Sequence, residues 1–200
     1  GYPWDLGVDA FGRGGICGLH NLGNTCFMNS AVQCLRATWP LASYMLQGRE
    51  KVDLNRSNPL GTGGVMAMEF AHLVRLALAP SCPGVLAPRG VRVAAARARS
   101  EFAGFAQQDA HELLSFVLDG LHEDLNRVTK KPATEAPEGR GRPDAEVAKE
   151  AWDTYLERNK SVIVDHFSGL LKSVLTCPSC GNVSKTFDPF NSLALPIPPK

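Results

Sequence analysis

Apolar residues recur at helical spacing from about residue 15 to about residue 128, and beyond residue 160 the pattern changes to strands. Two helical faces are strongest. The first starts at or next to Cys26, where Met28, Ala31, Val32 and Leu35 follow the turn Asn21-Leu22-Gly23 and either Asn24 or Thr25 is placed as the N-cap. The second, in residues 108–128, carries Leu114, Val117, Leu118, Leu121 and Leu125 and is expected to pack against the first. Between them, Val65-Met66-Ala67-Met68 through Leu76-Ala77-Leu78 predicts a buried helix ended by Pro80.

The remaining segments are less regular. Residues 80–100 are rich in Pro, Ala and Arg, and Arg89, Arg92, Arg97 and Arg99 form either a basic patch or a solvated face. The solvated face is expected, since no aromatic residues interleave to stack bases. Residues 129–146, dense in Pro, Gly and charge, read as a loop without packed structure. A short helix is expected over residues 147–158, then strands over residues 161–167, 170–176 and 182–187.

A chain of 200 residues that is 44% hydrophobic and 20% charged can bury a sizeable core, and disorder is not the expectation. Its net charge of +1 gives no global pull toward nucleic acid or an anionic membrane. No apolar run is long enough to span a bilayer and no signal peptide is recognisable, so a cytoplasmic or nuclear location is expected. Six irregularly spaced cysteines suit reduced thiols and a metal site better than a disulfide framework.

Cys26 has two readings. Unpaired N–H groups and the positive end of a helix dipole favour thiolate over thiol in a first helical turn, and the thiolate is the nucleophile. Free cysteines are also commonly buried as small hydrophobes, which is the expectation for Cys17 and Cys34.

Three motifs in order bear on that choice. Gly18-Leu19-His20-Asn21-Leu22-Gly23-Asn24-Thr25-Cys26-Phe27-Met28-Asn29-Ser30 resembles the cysteine box of the ubiquitin-specific proteases, the papain-like family of deubiquitinating enzymes. Gly104-Phe105-Ala106-Gln107-Gln108-Asp109-Ala110-His111-Glu112-Leu113-Leu114 resembles that family's Gln-Gln-Asp box, and Phe187-Asp188-Pro189-Phe190 with Leu193-Ala194-Leu195-Pro196 matches a third element. The resemblance implies an α+β fold of the papain-like, ubiquitin-specific protease type. Residues 1–128 would form a thumb-like helical subdomain with both boxes, residues 129–146 a polar loop, and residues 147–200 a helix and the first strands of a zinc-tipped fingers sheet.

The same resemblance implies thiol-dependent hydrolysis of the bond after the C-terminal glycine of ubiquitin, with ubiquitin and ubiquitinated proteins as partners and neither nucleic acid nor membrane. Cys26 would be the nucleophile and Asn21 a side-chain donor to the oxyanion, although beside Gly23 an asparagine also reads as a turn former. Gln108, Asp109 and Glu112 would line the cleft for ubiquitin's arginine-bearing tail, the two carboxylates pairing with arginines. Asp109-x-x-Glu112 equally reads as a helix-capping arrangement with Asp109 as N-cap. The chain departs from the commonest family pattern at His111, where glutamine is usual, and at Phe105, where tyrosine is.

Cys177-Pro178-Ser179-Cys180-Gly181 has the form of a zinc knuckle, with Cys177 and Cys180 as half of a structural four-cysteine site; a redox Cys-x-x-Cys is the alternative. His20, His72, His111, His122 and His166 lie outside any family histidine box and are assigned to structure. The chain begins at Gly1 and stops soon after a strand-like segment, so it reads as a piece of a longer protein, poor or inactive as a protease alone. A non-catalytic ubiquitin-binding pseudoenzyme and a zinc-ribbon interaction module stay open as other classes.

Overall fold

A computed structural model describes residues 16–137, 139, 141–196 and 198. The chain divides into two compact units, Gly1–Leu125 and Asn126–Lys200.

In the first unit, β1 (Gly18–Leu19) leads into α1 (Cys26–Ala37), followed by α2 (Trp39–Leu46), the single turn α3 (Glu50–Asp53) and α4 (Val65–Leu78). A two-residue strand β2 (Val85–Leu86) pairs in parallel with β1, and α5 (Arg89–Ala98), a 3₁₀ turn at Ser100–Phe102 and α6 (Ala110–Asp124) complete it. The core forms where α1 packs on α6 and both α2 and α6 pack on α4. It is made by Met28, Val32 and Leu35 of α1, Leu41 and Met45 of α2, Phe70 and Val74 of α4, and Leu113, Val117 and Leu121 of α6.

Asp124 fixes the far end of this helical layer. Its carboxylate is fully buried and accepts from Thr62 N and Thr62 Oγ1, each at 2.6 Å, from Gly64 N at 3.1 Å and from Ala67 N at 3.2 Å. The last residue of α6 thereby satisfies the free N–H groups at the start of α4, whose own N-cap, Gly64, has no side chain to do so.

In the second unit α7 (Asp144–Leu156) and α8 (Val162–Phe167) precede an antiparallel hairpin of β3 (Gly169–Thr176) and β4 (Val183–Phe190), registered from Gly169 opposite Phe190 to Thr176 opposite Val183. Asp144 ties α7 to the hairpin through Lys172 and, at 2.8 Å, Lys185.

The structure corrects several expectations. Residues 80–100 contain a helix, α5, because Val91, Ala94 and Ala95 form a narrow buried face and the arginines alternate off it. Residues 162–167 are helical rather than a strand: Ser161 Oγ accepts from Val164 N at 3.3 Å, and Val162, Ile163 and Val164 are buried consecutively, which a one-sided strand cannot do. Helix α7 starts at Asp144, inside the segment expected as loop. Leu113 rather than Leu114 is the fully buried leucine at the start of α6. Cys17 is buried as expected, but Cys34 is exposed because it lies on the face of α1 turned away from Met28, Val32 and Leu35.

Candidate active site

Cys26 is the first residue of α1 and is exposed. The turn before it holds its shape through two side chains. Asn21 Oδ1 accepts from Gly23 N at 3.0 Å and Thr25 N at 3.1 Å, and Thr25 Oγ1 accepts from Leu22 N at 2.8 Å while donating to Asn21 Oδ1 at 3.3 Å. Thr25 is therefore the N-cap by position, with its hydroxyl spent on the turn rather than on the helix. Gly23 (φ 99°) and Asn24 (φ 51°) are both left-handed. The left-handed backbone favours glycine at position 23, and a Cβ there would also crowd the Phe105 ring at 3.1 Å.

Asn21 thus satisfies the turn-forming reading with its oxygen alone. Its amide nitrogen makes no hydrogen bond among the described residues and stays available as a donor. Behind the turn, Asn29, Gln33 and Arg36, along one face of α1, hold the incoming strand. Asn29 Nδ2 donates to Leu19 O and His20 O at 3.3 and 3.2 Å, and Gln33 Nε2 and Arg36 donate to Cys17 O at 2.9 and 3.4 Å.

The second box supplies the facing wall. The side-chain amide of Gln107 lies against Cys26, its Oε1 and its Nε2 each 3.5 Å from Sγ. Gln107, not Gln108, reaches the sulfur; Gln108 Nε2 donates to the Glu101 carbonyl at 3.0 Å and braces the loop. Asp109 is the N-cap of α6, its Oδ1 accepting from His111 N at 2.6 Å and Glu112 N at 3.2 Å, which leaves Oδ2 without a partner among the described residues. Glu112 does not close a capping box; its carboxylate faces Arg99 at 3.6 Å, and Arg99 also pairs with Glu101 at 2.8 Å and lies 5.5 Å over the Phe116 ring.

The two walls are joined directly. Asn24 Nδ2 donates to the Phe105 carbonyl at 2.8 Å, which gives the left-handed Asn24 a reason to be asparagine. Arg92 of α5 donates to Leu22 O at 3.1 Å and Gly104 O at 3.4 Å, and its guanidinium lies 4.9 Å over the Phe105 ring. Chemically, the arrangement presents an accessible thiol at a helix N-terminus, in contact with the Gln107 amide and directly after a turn whose Asn21 keeps an uncommitted amide donor.

In the second unit Cys177 and Cys180 stand at the turn of the β3–β4 hairpin, closed by Cys177 N to Asn182 O at 2.8 Å and Gly181 N to Cys177 O at 2.9 Å. The Cys177 thiol is held below its ordinary range by the Cys180 and Ser179 backbone N–H groups and by the Cys180 thiol. Among the described residues no cluster of three or more His, Cys, Asp or Glu forms a metal site. The Cys17 thiol is pushed up to about 11, by burial first and then by the neighbouring Cys82.

A model of the ubiquitin carboxyl-terminal hydrolase family matches residues 17–193, from the buried cysteine before β1 to beyond the hairpin. The chain belongs to that family. Its relatives in the family include ubiquitin carboxyl-terminal hydrolase 4 of Rattus norvegicus, 54% identical over 93% of this chain and 19% of that protein. Another is ubiquitin carboxyl-terminal hydrolase 15 of Homo sapiens, 51% identical over the same shares of the two chains. The chain thus spans about a fifth of the length of these curated relatives.

Among solved structures, the SAGA DUB module Ubp8/Sgf11/Sus1/Sgf73 bound to monoubiquitin aligns with a TM-score of 0.60 at 23% identity over 89% of this chain and 35% of that one. The same module bound to ubiquitin aldehyde aligns with a TM-score of 0.60 at 22% identity over 94% and 38%. This likeness shows the fold, the α+β arrangement that the family boxes imply.

Gln107, Arg92 and Arg99 are the residues of this hydrolase-family site that sequence reading left without a role. Gln107 was within reach as the neighbour of Gln108 in the box. Nothing local distinguishes Arg92 from Arg89 or Arg97.

Proposed function

We propose that this chain carries the nucleophile and part of the substrate cleft of a thiol-dependent ubiquitinyl hydrolase. The observation that carries the reading is the exposed Cys26 at the start of α1, touched by the Gln107 amide and preceded by the turn that bears Asn21, in a chain of the ubiquitin carboxyl-terminal hydrolase family. Cys26 Sγ attacks the carbonyl carbon of ubiquitin's terminal glycine, and the Asn21 Nδ2 group donates to the oxyanion that forms. Collapse releases the substrate amine, which takes up the proton given up by the thiol, and leaves a thioester, which water hydrolyses to ubiquitin's C-terminal carboxylate and the free thiol. None of the five histidines is assigned as the base, so the isolated chain is expected to turn over poorly.

Asp109 Oδ2 offers a carboxylate edge to a tail arginine, and Glu112 offers a second by exchanging its Arg99 for the incoming guanidinium. Gln108 supports this wall from behind through Glu101. Cys177 and Cys180 suit two corners of a tetrahedral zinc site, since two neighbouring thiols with backbone N–H groups aimed at one of them favour the thiolate that zinc requires. Bound zinc would cross-link the hairpin tip without entering the chemistry. Ubiquitin and ubiquitinated proteins are the partners, in the cytoplasm or nucleus.

Ubiquitin bearing a C-terminal electrophile tests this reading. A covalent adduct that Cys26→Ala abolishes supports it. Failure of the folded wild-type protein to form one rejects it, leaving non-catalytic ubiquitin binding.

A further inference from the structure

We infer that Arg92 is the positioning residue that locks the nucleophile turn to the substrate-tail wall, setting how the cleft meets ubiquitin without altering the reactivity of Cys26 itself. This rests on the function proposed above. The turn at residues 21–25 and the segment at residues 104–107 come from regions about eighty positions apart in sequence, and neither is part of a helix or strand. Arg92 bridges them with one group. Its two terminal nitrogens donate to Leu22 O and Gly104 O, and its flat face covers Phe105, whose ring edge abuts Gly23.

Only a guanidinium does all of this. A planar fork reaches two carbonyls at once while its face stacks on an aromatic ring, whereas a lysine ammonium is a point charge on a flexible stem. Arg92 is half-buried on α5, whose Val91, Ala94 and Ala95 are fixed in the core, so the fork is anchored to a rigid element. Three residues beyond Gly104, Gln107 touches the Cys26 sulfur, and two further on, Asp109 caps α6. A shift of Gly104–Phe105 therefore moves the tail wall, while Sγ keeps its place at the start of α1, where a small reagent still reaches it.

The nucleophile turn has its own supports. Asn21 and Thr25 hold it through hydrogen bonds that do not involve Arg92. Loss of Arg92 should consequently spare the thiol's environment and loosen the facing wall.

The test compares two reactions of Cys26 in the whole native protein: alkylation by iodoacetamide, which needs no cleft, and inactivation by ubiquitin with a C-terminal electrophile, separated into KI and kinact. For Arg92→Ala, the alkylation rate should stay within about twofold and KI should rise about tenfold, with kinact changed less. Arg92→Lys should restore part of the loss, to about threefold above the wild-type KI. An unchanged KI in both variants overturns the inference, and so does an equal fall in alkylation and ubiquitin inactivation, which would make Arg92 a general support of the fold. If Arg92→Ala does not fold, the lysine variant decides alone: a wild-type KI overturns the inference, and a raised KI with normal alkylation supports it. A wild-type protein that alkylates but forms no ubiquitin adduct overturns the hydrolase reading itself, and the inference with it.

Discussion

The Cys26 sulfur and the Gln107 side-chain amide lie 3.5 Å apart, across a sequence separation of 81 residues. An amide can accept from a thiol or donate to a thiolate, so Gln107 accompanies the sulfur in either state. Replacing it by Glu keeps the shape and sets an acceptor-only carboxylate beside the sulfur. Gln107→Glu is expected to slow iodoacetamide alkylation of Cys26 at neutral pH about tenfold, whereas Gln107→Ala should slow it less. Equal alkylation rates for wild type and Gln107→Glu would show that the amide does not influence the sulfur.

Asn21 divides its functions between two atoms, and substitutions can separate them. Asn21→Asp keeps an oxygen to accept from Gly23 N and Thr25 N but removes the Nδ2 donor. It should fold normally and, assayed in the whole native protein, lose turnover of a ubiquitin C-terminal amide about a hundredfold or more, the scale of one oxyanion donor. Asn21→Ala should lose turnover and also destabilise the turn. Comparable turnover in Asn21→Asp and wild type would leave Asn21 as a turn former only.

Asp124 is expected to be the most sensitive polar position in the first unit. Its carboxylate satisfies three backbone N–H groups and one hydroxyl at the entrance to α4. Asp124→Ala should cost about 3 to 5 kcal/mol in urea denaturation, from several buried donors left unpaired. A cost below about 1 kcal/mol would mean that water enters and substitutes for the carboxylate.

The first unit also shows what sequence can and cannot reveal. Helices α1, α4 and α6 are legible because Val32, Phe70 and Leu121 belong to wide apolar stripes at helical spacing. Helix α5 is not, since its buried face is only Val91, Ala94 and Ala95, and alanine among arginines carries little hydrophobic contrast. Val162-Ile163-Val164 misleads in the opposite direction: β-branched residues suggest a strand, but the Ser161 cap and burial on consecutive positions make a helix. The helix start at Cys26, the turn around Asn21 and the N-cap at Asp109 are legible from the local pattern. The contact of Gln107 with the sulfur and the bridge made by Arg92 depend on how two distant loops meet, which no local pattern encodes.

In the second unit Asp144 lies between Lys172 and Lys185, and these two hydrogen bonds, Lys172 first, hold its carboxyl below the ordinary carboxylate range. A depressed folded-state value means that the stabilisation is present above the unfolded value of about 4 and fades as pH falls through the folded one. Asp144→Asn should therefore lower the denaturant midpoint of the helix–hairpin unit at pH 7, and the gap to wild type should narrow as pH falls below the ordinary carboxylate range. A gap independent of pH would mean that the aspartate acts through its shape or helix-start position rather than its charge.

The most direct measurement is to find which sulfur carries the adduct after reaction with ubiquitin bearing a C-terminal electrophile. Cys17, Cys26 and Cys34 fall between Arg13 and Arg36, so one tryptic peptide contains a buried thiol pushed up to about 11, the helix-start thiol and an exposed mid-helix thiol. Fragmentation of that peptide should place the whole modification on Cys26. Modification of Cys34 or of any other cysteine, persisting in Cys26→Ala, would contradict the assignment of Cys26 as the nucleophile.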